Sequence, residues 1–210
     1  MALTKRSVKG SALTFAEMDA NWDEVSAAGG LTFIVSTDIS NAATFDFTAV
    51  DASAYDNYVI YLMNVIPATD NSYLEMRTST DGGSSYDSSS GNYGWAISGM
   101  DGAGGQDDQL ANDVQIRLNG DKTDANRRFG SAAGEDGVSG VITVHGPHLA
   151  KETFITWNIA HTNANGDGAP NHFTGAGKRK SSADVDAFRI MFNTGNIESG
   201  TISVFGVKNA

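Results

Sequence analysis

The side chains best able to do chemistry in this chain are 25 Asp and Glu and four His, with no cysteine. The lack of cysteine removes thiolate nucleophiles, disulfides and thiolate zinc sites. The histidines are His145, His148, His161 and His172, and no His-x-x-x-His or His-Glu-x-x-His spacing occurs. A zinc site needs three or four converging ligands, so the expectation is no metal and no cofactor. Carboxylate pairs for glycoside hydrolysis meet in space, so sequence alone leaves them open. No Gly-x-Ser-x-Gly elbow is present, and the glycines at 102–105 lack the Lys-Ser/Thr of a phosphate loop. The expectation is therefore a non-enzyme with no catalytic residues. Asn163-x-Asn165-x-Asp167-Gly168 has the spacing of the first half of a calcium loop, but Thr174 stands where a bidentate Glu is needed. Asp101, Asp107 and Asp108 form a second acidic cluster. Solvated polar loops are the expectation for both.

Ser79-Thr-Asp81-Gly-Gly83-Ser-Ser85-Tyr86 resembles the Asp-box of sialidases and related propellers, with Ser85 and Tyr86 in place of Thr and Trp. Such a box is a structural hairpin turn, in which Asp81 accepts backbone amides and Gly83 takes a positive φ. A propeller needs several copies, and this chain has one. Tyr86, Tyr93 and Trp95 follow. Aromatic rings with polar tips suit sugar faces, so these three are candidate glycan contacts; core or subunit packing is the alternative. Trp157 alternates with Ile155 and Ile159 and is expected in the core.

Positioning these groups falls to two kinds of element. Thr14 and Glu17 form a capping box, and Phe15, Met18, Trp22 and Val25 follow at a and d spacing. Gly29-Gly30 stops the helix. A helix this short is marginal alone, so the apolar stripe either lies on its own β domain or forms a trimer seam with copies of itself. From Leu31 the period becomes two. Strands are expected over 31–36, 43–48, 58–65, 73–80, 93–98, 114–118, 138–145, 153–161, 188–192 and 202–207, with a bulge near Gly206. The run 58–65 reads as a central strand buried on both faces. Residues 99–112 and 162–183 read as long loops, where recognition would sit. Strands without intervening helices imply antiparallel pairing. The fold class is mainly β: an antiparallel, jelly-roll-like β-sandwich over 31–210 behind an anchor and trimerisation helix in 1–30.

The net charge is 14 − 25 = −11, which repels phosphate, so nucleic acid is an unexpected partner. Lys5-Arg6 with Lys9, Arg127-Arg128 and Lys178-Arg179-Lys180 read as solvated loops. No secretory h-region and no membrane-length apolar run is visible. The expectation is synthesis in the cytoplasm, no membrane partner, and release by a route such as lysis.

The stretch Gly10-Ser-Ala-Leu13-Thr14-Phe-Ala-Glu17-Met-Asp19-Ala-Asn21-Trp22 resembles a segment near the start of tailed-bacteriophage tail fibres and other virion proteins, G-x-x-L-T-x-x-E-x-D-x-N-(W/F). Gly200-Thr-Ile-Ser-Val-Phe-Gly206-Val-Lys208 is similar to the closing strand of phage jelly-roll domains, with Val204 and Phe205 for Leu and Tyr. No fibrous repeat lies between helix and sandwich. The resemblance implies a homotrimeric virion appendage: a short spike, head fibre or tail fibre. It would dock to other virion proteins through its N-terminal segment and contact host surface polysaccharide. Capsid decoration without receptor binding is the alternative.

Overall fold

A computed structural model describes residues 11–27, 30–101, 104–120, 125–164 and 170–208, with only the backbone described over 22–27. The helix α1 spans Phe15–Ala27. Its capping box is formed: the Glu17 amide donates to Thr14 Oγ1 at 3.2 Å and the Thr14 amide to Glu17 Oε2 at 2.8 Å. Twelve strands follow: β1 (Leu31–Ala42), β2 (Phe45–Phe47), β3 (Asn57–Pro67), β4 (Leu74–Ser79), β5 (Tyr93–Asp101), β6 (Gly104–Asp113), β7 (Ile116–Arg117), β8 (Val138–His145), β9 (Thr153–Thr162), β10 (Pro170–Arg179), β11 (Ala187–Phe192) and β12 (Ile197–Val207).

All pairings are antiparallel, in two sheets ordered β1-β12-β3-β8-β9-β10-β5-β6 and β2-β11-β4-β7. Without the hairpins β5-β6 and β9-β10, the order is that of an eight-stranded jelly roll, β1-β12-β3-β8 facing β2-β11-β4-β7. The two hairpins are insertions that widen one sheet and leave the other narrow. The core fills the space between the sheets. Tyr58, Ile60 and Leu62 of β3 point inward, Phe47 stacks on Phe188 at 4.8 Å between centroids, and Tyr58 meets Phe47 at 5.6 Å. Each such side chain contributes about 1.5–3 kcal/mol by leaving water.

Two expectations are corrected. Residues 104–113 and 170–179 are strands, not loops. The apolar period of 170–179 is broken because Gly175 and Gly177 stand on its inner face beside Phe173, and that of 104–113 because its inner phase carries Gln106 and Asp108. Gly175 pairs with Trp157, and a Cβ there would lie 2.3 Å from the indole Cζ2. The ring needs that space: it is buried, and its Nε1 donates to the Leu118 carbonyl at 2.8 Å. Strand β6 is an edge whose polar side chains discourage further pairing. Second, β3 is buried on one face only: Val59 and Tyr61 are half-buried on the other, and Met63 is exposed. The bulge expected near Gly206 is present beside it: the register of β1 on β12 shifts between Phe33 and Val35, opposite Phe205 and Val204, while Gly206 itself pairs with Thr32 and Tyr58 under the Tyr55 ring; further shifts against β3 lie around Ser199–Thr201.

A side chain at position 175 should dislodge Trp157. Gly175→Val is expected to cost about 2 kcal/mol or more by overpacking, read as a lower urea midpoint. An unchanged midpoint would show that the ring is not locked there.

Candidate functional site

The sequence candidates fall in different places. Phe15 is 83 % exposed and Met18 43 %, so the sandwich of the same chain does not cover this part of the stripe. The side chains of Trp22 and Val25 lie outside the described residues. Tyr93 and Trp95, taken as candidate glycan contacts, are core residues instead. Tyr93 is fully buried, and the Thr78 amide donates to its hydroxyl at 2.8 Å. The Trp95 Nε1 donates to Asp113 Oδ2 at 2.9 Å. Strand alternation turns both inward. Tyr86 is half-buried, with the Arg189 guanidinium 4.0 Å above its ring. The three therefore make no open platform.

Asp81 and Gly83 form the expected structural turn. Ser85 donates to Asp81 through its amide at 2.8 Å and its hydroxyl at 2.6 Å, Ser79 Oγ donates at 2.8 Å, and Gly83 has φ +83°. These donors, the Ser85 hydroxyl first, lower the Asp81 carboxyl to about 2. The turn is not a hairpin, because it leads from β4 in the narrow sheet to β5 in the wide one.

The acidic and basic clusters are structural as well. Asp108 meets Arg127 at 2.8 Å and Asp101 is buried, while Asp107 points out of the edge strand. Arg127 and Arg179 are buried and not solvated; Arg179 holds Asp87 at 2.6 Å. Alternation in β10 explains Arg179, which turns inward between Lys178 and Lys180. In the calcium-like stretch, Asn163 is buried and the Thr174 hydroxyl donates to the Trp157 carbonyl at 3.2 Å; residues 165–169 lie outside the described residues. Among the described residues, no three His, Asp or Glu side chains converge as a metal site.

Among the described residues, one concave feature that the fold builds is a groove around Phe154. Two adjoining depressions of about 660 and 690 Å³ share this residue. They run along the end of the wide sheet where β8 ends, β9 begins, β10 ends and β5 begins. Phe154 is 51 % exposed on the polar side of β9. Lys178 Nζ sits 6.0 Å over its ring and pairs with Glu152 at 2.6 Å. Lys180 Nζ donates to Asn112 Oδ1 at 2.6 Å, and His148 Nε2 lies 3.6 Å from Asp56. Leu110 and Leu149 line the flanks. An apolar ring inside a rim of both charges and amides can hold a flat, hydroxyl-bearing ligand. The available signal in the sequence was a phenylalanine out of phase with Ile155, Trp157 and Ile159.

No protein-family model matches the chain, and no curated protein is similar to it beyond chance.

His161 is buried between Phe129, at 4.1 Å between centroids, and Phe173, at 6.0 Å. Its Nδ1–H donates to the Thr162 carbonyl at 3.0 Å, and burial pushes the ring down to about 4. Unfolded chains take up this proton below about 6.5 while the folded ring stays neutral to about 4. Its contribution to stability is therefore whole above 6.5 and drains as pH falls toward 4. Between those values the wild type should lose up to about 3 kcal/mol more than His161→Leu, measured by denaturant titration. Equal losses would contradict the buried neutral ring.

Proposed function

We propose that this chain is a non-enzymatic structural component of a bacteriophage virion. In this reading it is a short homotrimeric appendage, of the head-fibre, tail-fibre or spike kind, assembled in the bacterial cytoplasm. Residues 1–30 anchor it to other virion proteins and seed the trimer. Residues 31–210 form the sandwich that contacts host surface glycans. The observation that carries the reading is the capped α1 with Phe15 and Met18 exposed, directly ahead of a jelly roll. The first two turns of that helix lie in the segment that resembles tailed-phage virion proteins.

In this reading the groove around Phe154 takes over the glycan role from Tyr86 and Tyr93, and Trp95 lines it while nearly buried. A pyranose face can lie on the Phe154 ring while its hydroxyls meet the polar rim. Trimerisation multiplies weak single contacts. A second reading, capsid decoration without a receptor, is favoured by one observation. The groove lies at the same end of the wide sheet as Leu31, where α1 joins, and not at the far end.

Two measurements test this. In particles purified from a lysate that contains the chain, peptide mass spectrometry is expected to find it in the particle band. Its absence from that band would sink the virion reading. On immobilised surface polysaccharide, the full chain should bind and Phe154→Ala should bind about tenfold or more weakly. No binding by the wild type would leave decoration as the reading, and release of sugar fragments would overturn the non-enzymatic one.

A further inference from the structure

The outward face of the wide sheet differs in chemistry from the rest of the chain. The sequence has 14 Lys and Arg and 25 Asp and Glu, so 39 charges in 210 residues. Along the outward positions of β12, β3, β8, β9, β10 and β5, the paired registers bring together Ser, Thr, Asn, Ala, Val, Tyr, Phe and Met, with two His. The cation among them is Lys178 at one end, which Glu152 holds at 2.6 Å. Carboxylates sit only at the margins: Asp38 on β1, Glu198 at the start of β12 and Asp107 on the edge strand β6. The two histidines are tied to neighbours on the same face, His145 to Thr156 at 2.9 Å and His172 to Asn158 at 3.0 Å.

One side of this face is apolar. The Phe205 ring lies 5.6 Å from Phe33 and 5.5 Å from Tyr61, both edge-on. Phe33 is 59 % exposed and Met63 47 %, and Val59 and Val141 fill the rows between them half-buried. Outward phenylalanine, tyrosine and methionine on a charge-free ground is the composition of a buried interface centre.

We propose that this face, short of its Phe154–Lys178 end where the groove opens, is where copies of the chain bury one another, with the Phe33–Phe205–Tyr61 cluster and Met63 as its apolar side. The inference rests on the reading that the chain self-associates, and it names the surface. Charge selects the occupant. Each copy carries −11, so two copies repel except where they can meet without opposing carboxylates. A cationic partner would be drawn to the acidic remainder of the surface, not to this face. Position agrees: Leu31 and Phe33 open β1 directly after α1, so copies joined through α1 bring these strips together. A strip of this kind can pack on itself around a two-fold or three-fold axis. Size agrees too. Strands about 4.8 Å apart make the face from β1 to β5 roughly 29 Å wide, and about six residues make it roughly 20 Å long. The resulting plane of about 600 Å² is of the order of the roughly 800 Å² that each partner gives to a stable interface.

The test is native mass by light scattering over a concentration series, on full chains only. Wild type is compared with Met63→Glu/Thr143→Glu, with Thr156→Glu at an exposed outward position, and with Ser88→Glu/Ser90→Glu as an equal charge in the 80–92 loop. Circular dichroism melts check folding, and Thr156→Glu serves if the double variant melts early. The face variants are expected to weaken association about tenfold or more through like-charge opposition, and the loop variant to leave it unchanged. A fourth chain, Phe15→Asp/Met18→Asp, separates the two ideas. If it dissociates while the face variants associate like wild type, the helical seam stands and this inference falls. If wild type is monomeric at every concentration, both fall.

Discussion

The wide sheet depends on one side chain in one gap. Trp157 sits over Gly175 with its indole N–H on the Leu118 carbonyl at 2.8 Å. That contact ties β9 and β10 to the segment that leads out of the narrow sheet. Strand β10 in turn carries β5 and β6. Without it, β9 and β10 would lose their closest shared contact, although Tyr93, Ile97, Ile155, Ile159 and Phe173 also face inward from the inserted strands. The groove around Phe154 and the β9, β10 and β5 part of the neutral face lie on strands recruited in this way. An eight-stranded core thus acquires a broad outer surface with the help of large-against-glycine packing, Trp157 on Gly175 and Ile116 on Gly177, which close-packed interiors tolerate only when the volumes match.

Charge is distributed to suit that surface. Buried arginines are spent inside, where Arg127 and Arg179 bind Asp108 and Asp87 at 2.8 and 2.6 Å. These pairs fasten the inserted hairpins and the 80–92 loop to the body. Their value lies in geometry more than in net stability, since burying a charge offsets much of the attraction gained. Exposed carboxylates are left on the margins and loops, and the broad sheet face is left neutral. A protein that is soluble through acidity can then associate through one face without opposing its own charge.

Much of this was legible in the sequence. Period-two alternation, with the continuous apolar run at 58–65, identified all eight jelly-roll strands together with β5 and β9, and the Thr14–Glu17 box marked the helix start. What it could not reveal followed one physical rule. Strand β10 puts glycine where an inward apolar residue would stand, because its partner Trp157 fills both places; β6 is an edge with little to bury. Pattern reading sees both as loops. Tyr93 and Trp95 looked like a sugar platform because three aromatics lie close in sequence, and the alternation of β5 turns two of them inward. Phe154 was overlooked for the complementary reason: it sits on the polar phase of a strand whose apolar phase is so regular. The Lys178-Arg179-Lys180 run looked uniformly solvated, but a strand sends its middle member inward.

The chain has no cysteine, so one introduced thiol reports a single location. Met63→Cys places it on the apolar side of the neutral face, and Ser90→Cys places it in the 80–92 loop. Mild oxidation of each at equal concentration, followed by non-reducing electrophoresis, measures whether that face meets itself. The expected result is a covalent pair of 2 × 22.0 = 44 kDa from Met63→Cys and little from Ser90→Cys. Equal, slow cross-linking of both would contradict the account, because it would mean that the neutral face meets another copy no more often than an arbitrary loop does.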